Sequence, residues 1–237
     1  MKHWIGTSGF QYAEWKGSFY PEKMPPGKML PFYAEHFAST EINYTFRRLP
    51  AAKTIIGWSS ATPARFKFSF KAPQRVTHFA KLRGCAEVLA VFQKAVATAE
   101  GKLGPVLFQL PPTFPCDVEV LRAFLGEVPA GMRVAFEFRH KSWFDEAVFE
   151  TLRAANAALC IAEQEELATP TVATADFGYF RLRREDYTRA KIQRWAGWIG
   201  EQSARWFEAF IYFKHEERAV GPKFARQMQA ALGPADG

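Results

Sequence analysis

The sequence predicts an α/β protein: a TIM-type (β/α)8 parallel barrel, with one domain spanning residues 1–237. Three observations carry that expectation. Strand-like and helix-like segments alternate along the chain, which implies parallel βαβ units. Eight strand signals occur, and no dinucleotide fingerprint follows the first, because "GTSG" at 6–9 lacks the GxGxxG spacing; a closed barrel is favoured over an open doubly wound sheet. Finally, several strands alternate bulky apolar with polar residues at period two, so their two faces meet different surroundings.

The elements follow in order. Strand signals lie at "HWIG" (3–6), "STEINYTF" (39–46), "RFKFSFKA" (65–72), "GPVLFQL" (104–110), "RVAFEFR" (133–139), "ALCIAE" (158–163), "GYFRLR" (178–183) and "AFIYFK" (209–214). Most are short and rich in β-branched or aromatic residues. Helical stretches fall between them at 30–37, 51–61, 85–99, 117–128, 143–156, 188–203 and 218–232. Ser142 followed by Asp145 resembles a capping box at the start of the fifth helix. The sixth unit, "EQEELATPTVATADF", carries no clear helical signal.

In a parallel barrel, strands are covered outside by helices and filled inside by side chains. With Phe136 and Phe138 under the helices, Ala135, Glu137 and Arg139 face the axis. The same parity puts Phe66, Phe68 and Phe70 outward and Lys67, Ser69 and Lys71 inward. Ile42 and Tyr44 oppose Glu41, Asn43 and Thr45, while Phe180 and Leu182 oppose Tyr179, Arg181 and Arg183. Strand four adds Gln109, and strand eight adds Tyr212 and Lys214. Unpaired buried charges cost several kcal/mol each, so these groups must meet one another, water or a ligand. Barrels of this class carry their active sites at the carboxyl end of the strands, which favours a site over a salt-bridge network that merely fills the interior.

Composition narrows the classes. The chain is 48% hydrophobic and carries a net charge of +7, which favours an anionic partner: an anionic small molecule, nucleic acid or a membrane surface. No run approaches the ~20 apolar residues of a membrane span, and the start lacks the apolar core of a signal peptide. Cys85, Cys116 and Cys160 form neither a disulfide framework nor a CxxC pair, so a reducing, cytoplasmic setting is expected, with Cys160 in the core.

The segments "GTSGFQYAEWKGSFYP", "EINYTFRRLP", "KAPQRVTHF", "LGPVLFQLPP" and "VAFEFRHKSWF" resemble the YecE-like family, domain-of-unknown-function family 72. The resemblance runs from about His3 to beyond Tyr212 and implies a TIM-type barrel, without an established reaction. It carries over Thr7, Ser8, Tyr12, Trp15, Glu41, Asn43, Thr45, Lys71, Thr77, His78, Gln109, Glu137, Arg139, His140, Ser142, Trp143, Arg181 and Tyr212 as the family's polar positions. The chain departs from the pattern where Arg183-Arg184 replace a usual His-Gly and Lys214-His215 a usual Asn-Asn, each adding positive charge to the mouth. Glu163 stands where an Asp is usual.

Several chemistries suit these residues. Lys71, Arg139, Arg181, Arg183 and Lys214, with Arg47, Arg48, Arg75, Lys81, Arg83, Lys141 and Arg184 on the surrounding loops, suit phosphate oxygens, in a small anion or a nucleic acid. Thr7, Ser8, Asn43, His78, Gln109, His140, Trp143 and Tyr212 complete the expected ligand-binding set. In the long first loop, Phe10, Phe19 and Tyr20 are expected to tack the loop down, leaving Tyr12 and Trp15, interleaved with polar residues, for ligand stacking. Acidic Glu163, Glu165, Glu166, Glu216 and Glu217 temper the basic rim.

The alternative is a small-molecule acid/base enzyme using Glu41 and Glu137 with Lys71 or Arg139. A metal site on His78, His140, His215 and the glutamates ranks lower, since no tight ligand spacing appears and competing cations surround it; neither metal nor cofactor is expected. No Gly-x-Ser-x-Gly elbow is present. The oligomeric state is left open by the sequence.

Overall fold

The computed structural model describes residues 1–163, 167–214 and 219–233. Its strands are β1 (Lys2–Ser8), β2 (Ser39–Ile42), β3 (Lys67–Lys71), β4 (Leu103–Gln109), β5 (Val134–Glu137), β6 (Ala158–Glu163), β7 (Phe177–Leu182) and β8 (Glu208–Phe213). They form a closed barrel in sequence order, every pair parallel, with β8 returning to β1. Among the described residues the α-helices are α1 (Pro26–His36), α2 (Ala52–Ser60), α3 (Ala86–Val96), α4 (Val118–Glu127), α5 (Glu146–Ala154), α6 (Arg189–Glu201) and α7 (Val220–Leu232). The described part of the β6–β7 connection contains no helix, in keeping with its non-periodic, Thr- and Pro-containing sequence.

Two apolar assemblies hold the barrel. Between strands and helices lies a large core containing Phe66, Phe68, Phe70, Phe136 and Phe138, all assigned outward by parity, together with Phe108. Phe108 stacks on Phe136 and packs edge-on against Phe124 of α4. Inside, Trp4, Phe177 and Phe210 plug the amino end, with Leu107, Ala135, Cys160 and Tyr179 above. The polar axial residues therefore sit on a dry plug and open only toward the carboxyl end.

Several boundaries differ from the pattern-based expectation. β2 stops at Ile42, and Tyr44–Phe46 form a 3-10 turn, so Tyr44 does not lie under a helix but is 53% exposed. β5 ends at Glu137, so Arg139 projects from the following loop. The cap of α5 is Asp145 itself, which accepts from the Ala147 N–H at 3.0 Å. Ser142 instead accepts from the Cys116 N–H (2.8 Å) and contacts His140 Nδ1 (2.7 Å), so the expected capping box does not form. Arg75–Phe79 form one turn of π-helix, an element that recurs near functional sites, and it carries His78.

Candidate functional site at the carboxyl end of the barrel

Three fully buried charges form the floor of the barrel mouth. Arg181 lies between two carboxylates: Nε and Nη2 donate to Glu41 Oε1 at 3.2 and 3.0 Å, and Nη1 donates to Glu137 Oε2 at 2.5 Å. Parity makes this possible, because Glu41, Glu137 and Arg181 are each the last or next-to-last inward residue of β2, β5 and β7. The remaining carboxylate valences are also filled. Ser8 Oγ (2.5 Å) and Tyr179 OH (2.7 Å) donate to Glu41, and Gln109 Nε2 (2.7 Å) and Arg139 Nε (3.0 Å) donate to Glu137 Oε1. Burial alone would raise the Glu137 carboxyl's pKa, but the guanidiniums of Arg181, Arg139 and Arg183 outweigh it and hold the group well below the usual carboxylate range.

A second tier of cations stands above this floor. Lys71 Nζ donates to Gln109 Oε1 at 2.7 Å and lies 3.9 Å from the Phe46 ring centre. Gln109 thus links Lys71 to Glu137 with its two ends. Burial, and then the nearby Arg181, push the Lys71 ammonium down to about 7. Arg183 Nη1 is 3.7 Å from Glu137 Oε1, shut away from water and without a hydrogen bond. Its pKa too is lowered, by burial and then by Arg181. His78, edge-on to Phe46, is lowered by burial and by Lys71 and Arg139. The side chains of Arg139 and Arg183 keep 26% and 21% of their surface open.

The flank of the mouth beside β1 and β2 opens into a cleft of 780 Å³. Gly9, Asn43 and Tyr44 form its near wall and Thr54 and Trp58 of α2 its far wall, with Tyr12 and Arg48 between. Asn43 Nδ2 donates to Ser8 Oγ (2.7 Å), and Ser8 Oγ also accepts from Arg181 Nη2 (3.2 Å), so the cleft wall joins the axial network directly. Gly9 adopts φ +93°, and a Cβ there would collide with the Tyr12 ring, whose hydroxyl donates to the Ser8 carbonyl at 2.7 Å.

The chain matches the family described as "Protein of unknown function DUF72" over residues 4–236. It belongs to that family. UPF0759 protein YecE of Escherichia coli (strain K12) is 33% identical over 113 residues, covering 47% of this chain and 42% of YecE. UPF0759 protein YunF of Bacillus subtilis (strain 168) is 30% identical over 159 residues, covering 62% of this chain and 54% of YunF. The chain thus spans about half the length of these relatives. A DUF72 family protein of Thermotoga maritima superposes with a TM-score of 0.87 at 26% identity, covering 98% of this chain and 99% of that one. Another, from Enterococcus faecalis V583, gives 0.82 at 18% identity over 99% and 97%, a likeness of fold alone.

Within this DUF72 barrel, the residues assigned to the site from sequence fall into three groups. Ser8, Glu41, Asn43, Lys71, Gln109, Glu137, Arg139, Arg181 and Arg183 form one connected cluster. A second group is buried away from it. Trp15 packs against Phe19 and Tyr20, and Trp143 stacks on Phe138 at 4.6 Å while its Nε1 donates to the Phe114 carbonyl, so both indoles are core rather than ligand platforms. Tyr212 lies one layer below the floor between Ser39 Oγ (2.6 Å) and Ser69 Oγ (2.8 Å), and Thr7 is held by Tyr33. Tyr12, His78, His140 and Lys214 form the third group, on the rim.

Glu163 does not face the axis: it accepts from Tyr187 (2.7 Å) and Trp195 (2.8 Å) on the helix side of β6. Glu165, Glu166, His215, Glu216 and Glu217 lie outside the described residues. Among the described residues no three His, Cys, Asp or Glu side chains gather as a metal site, and no helix is long and apolar enough to cross a membrane. Sequence reasoning missed Tyr179 as a partner of Glu41, and it missed Tyr44, Thr54 and Trp58. The available signal for Tyr44 was "EINYTFRRLP": a strand ending at Ile42 would have freed it for the rim.

Proposed function

We propose that the mouth binds a compact anionic group, phosphate above all, on Lys71, Arg139 and Arg183, with Glu41, Glu137 and Arg181 as the fixed floor beneath them. The observation that carries this reading is Arg183, which places a buried guanidinium nitrogen beside two further cations and gives it no hydrogen-bond acceptor. Four cations surround two carboxylates, and the carboxylates are already saturated by protein donors. An arriving oxyanion would pair with the open surfaces of the Arg139 and Arg183 side chains, and arginine forks suit phosphate oxygens. Nucleic acid enters the same reading as a carrier of phosphates.

The acid/base alternative rests on Lys71. An ammonium held near neutrality can exchange a proton with a bound substrate at physiological pH. Glu41 and Glu137 fit such a role less well, because their oxygens are occupied and closed to solvent.

Calorimetric titration with sulfate, a dianion across pH 5–9, tests the anion reading. Lys71 is cationic below about 7 and neutral above it, so affinity should fall as pH rises through that value. Lys71→Met should flatten the profile, and Arg183→Ala should weaken binding at least tenfold at every pH. Binding that ignores both substitutions would place the anion elsewhere and end the proposal.

A further inference from the structure

The mouth accounts for an anionic group but leaves the 780 Å³ cleft beside it unexplained. That volume lies within the ~300–1,000 Å³ of small-molecule sites. Four aromatic residues, Phe10, Tyr12, Tyr44 and Trp58, contribute to its walls, and no Asp, Glu or Lys does. Tyr44 is 53% exposed although its backbone is fixed in the turn after β2, so a large ring is held at the opening. Gln11, Asn43, Arg48 and Thr54 supply a few hydrogen-bonding groups on walls that are otherwise mainly apolar or aromatic. A sugar standing alone would ask for a denser set of polar partners to replace the water on its hydroxyls. A heteroaromatic ring asks for stacking surface and a few donors and acceptors at its edge.

The cleft also meets the anion site at one residue. Asn43 is part of its wall and is bonded to Ser8, which contacts both Glu41 and Arg181. A ligand with its anionic end over Lys71, Arg139 and Arg183 would pass Asn43 on its way into the cleft. We infer that the cleft is the ring subsite of a nucleotide-class ligand: it takes the base and its sugar while the phosphate occupies the mouth. This rests on the anion reading for the position of the phosphate, whereas the ring subsite stands on the cleft's own chemistry.

The experiment titrates inorganic phosphate, the four ribonucleoside monophosphates and their uncharged nucleosides against the wild type, Tyr44→Ala, Trp58→Ala and Arg183→Ala, by calorimetry and tryptophan fluorescence. Tyr44 is largely exposed, so Tyr44→Ala remains informative if Trp58→Ala folds poorly. At least one nucleotide should bind ten or more times tighter than phosphate, and Tyr44→Ala should remove most of that advantage while leaving phosphate affinity unchanged. Arg183→Ala should weaken phosphate and nucleotide alike and spare the nucleoside. If phosphate binds through Arg183 but every nucleotide binds no tighter, or Tyr44→Ala and Trp58→Ala change nothing, the ring subsite is wrong and the anion site survives. If a nucleoside binds in a Tyr44-dependent way while phosphate and Arg183 have no effect, the anion reading is wrong and the ring subsite survives. Failure of every probe to bind removes both.

Discussion

Glu137 shows how one residue's chemistry depends on what surrounds it. In the sequence it is half of an Glu–Arg alternation and could serve as a catalytic carboxylate or as an internal counter-ion. The structure gives it Gln109 and Arg139 on one oxygen and Arg181 on the other, with no surface open to water. Removing one member of such a buried set leaves its partners uncompensated. Glu137→Gln should therefore cost about 3–5 kcal/mol in urea unfolding. Its pH dependence has a definite sign. The folded-state pKa lies below the unfolded value near 4.5, so the stabilisation is complete above that pH and is lost as pH falls below it. The Gln variant should lose that part of the acid slope. A variant as stable as the wild type at pH 7 would mean that Glu137 is held for a ligand and not by its neighbours. Arg181→Ala is expected to unfold the mouth for the same reason, which makes Arg183, partly open and held to Glu137 at 3.7 Å with no hydrogen bond to Nη1, the better probe of binding.

At the scale of elements, strand parity was the most legible signal. Phe66, Phe68 and Phe70 face the helices while Ser69 and Lys71 face the axis, because in a strand covered on both sides a one-residue slip would exchange every aromatic ring with a polar group. Strand ends were less legible. Tyr44 and Arg139 continue the alternation in sequence, yet the backbone leaves the sheet at Ile42 and Glu137, and nothing in the side-chain pattern marks a strand's last ladder bond. The indoles of Trp15 and Trp143 were misplaced for a related reason. Polar neighbours in sequence do not show which ring a tertiary partner will cover, and Trp143 is covered by Phe138 of its own segment and by Phe114 from a separate loop. Phe138→Ala should open a cavity between β5 and the following loop and cost about 3–5 kcal/mol in urea. It should also raise and red-shift the Trp143 contribution to fluorescence, since that ring loses the partner stacked on it. Loss of stability below 1 kcal/mol would mean that the loop collapses into the gap.

At the scale of the whole molecule the question is how a net charge of +7 is distributed, because a compact anion and a polymer read that charge differently. Much of the positive charge is locally compensated. Arg83 pairs with Asp117, Arg122 with Glu119, Arg133 with Glu208, Arg153 with Glu146, and Arg184 and Lys191 with Asp186. Arg83 and Arg184 belong to the rim that the sequence suggested as a basic collar, and their pairing interrupts it. Part of the remaining excess stands over Glu137, where Lys71, Arg139, Arg181 and Arg183 face two carboxylates within reach of one ligand head. Arg47, Arg48 and Arg75 line an adjoining cleft of 300 Å³, Arg48 being shared with the 780 Å³ cleft, and together they would lengthen the track for an extended chain. Affinity for a polyanion falls with salt roughly in proportion to the phosphates contacted, with a logarithmic slope of about −0.7 per contact for single strands. One phosphate seated at the mouth therefore predicts a slope of about −0.7 between 50 and 200 mM salt for a single-stranded oligonucleotide, and none steeper for a nucleotide. Fluorescence titration of both ligands across that range decides the matter. A slope of about −3 or steeper for the oligonucleotide alone would extend the contact beyond the mouth to Arg47, Arg48 and Arg75, and a nucleic acid strand would then replace the small anion as the ligand.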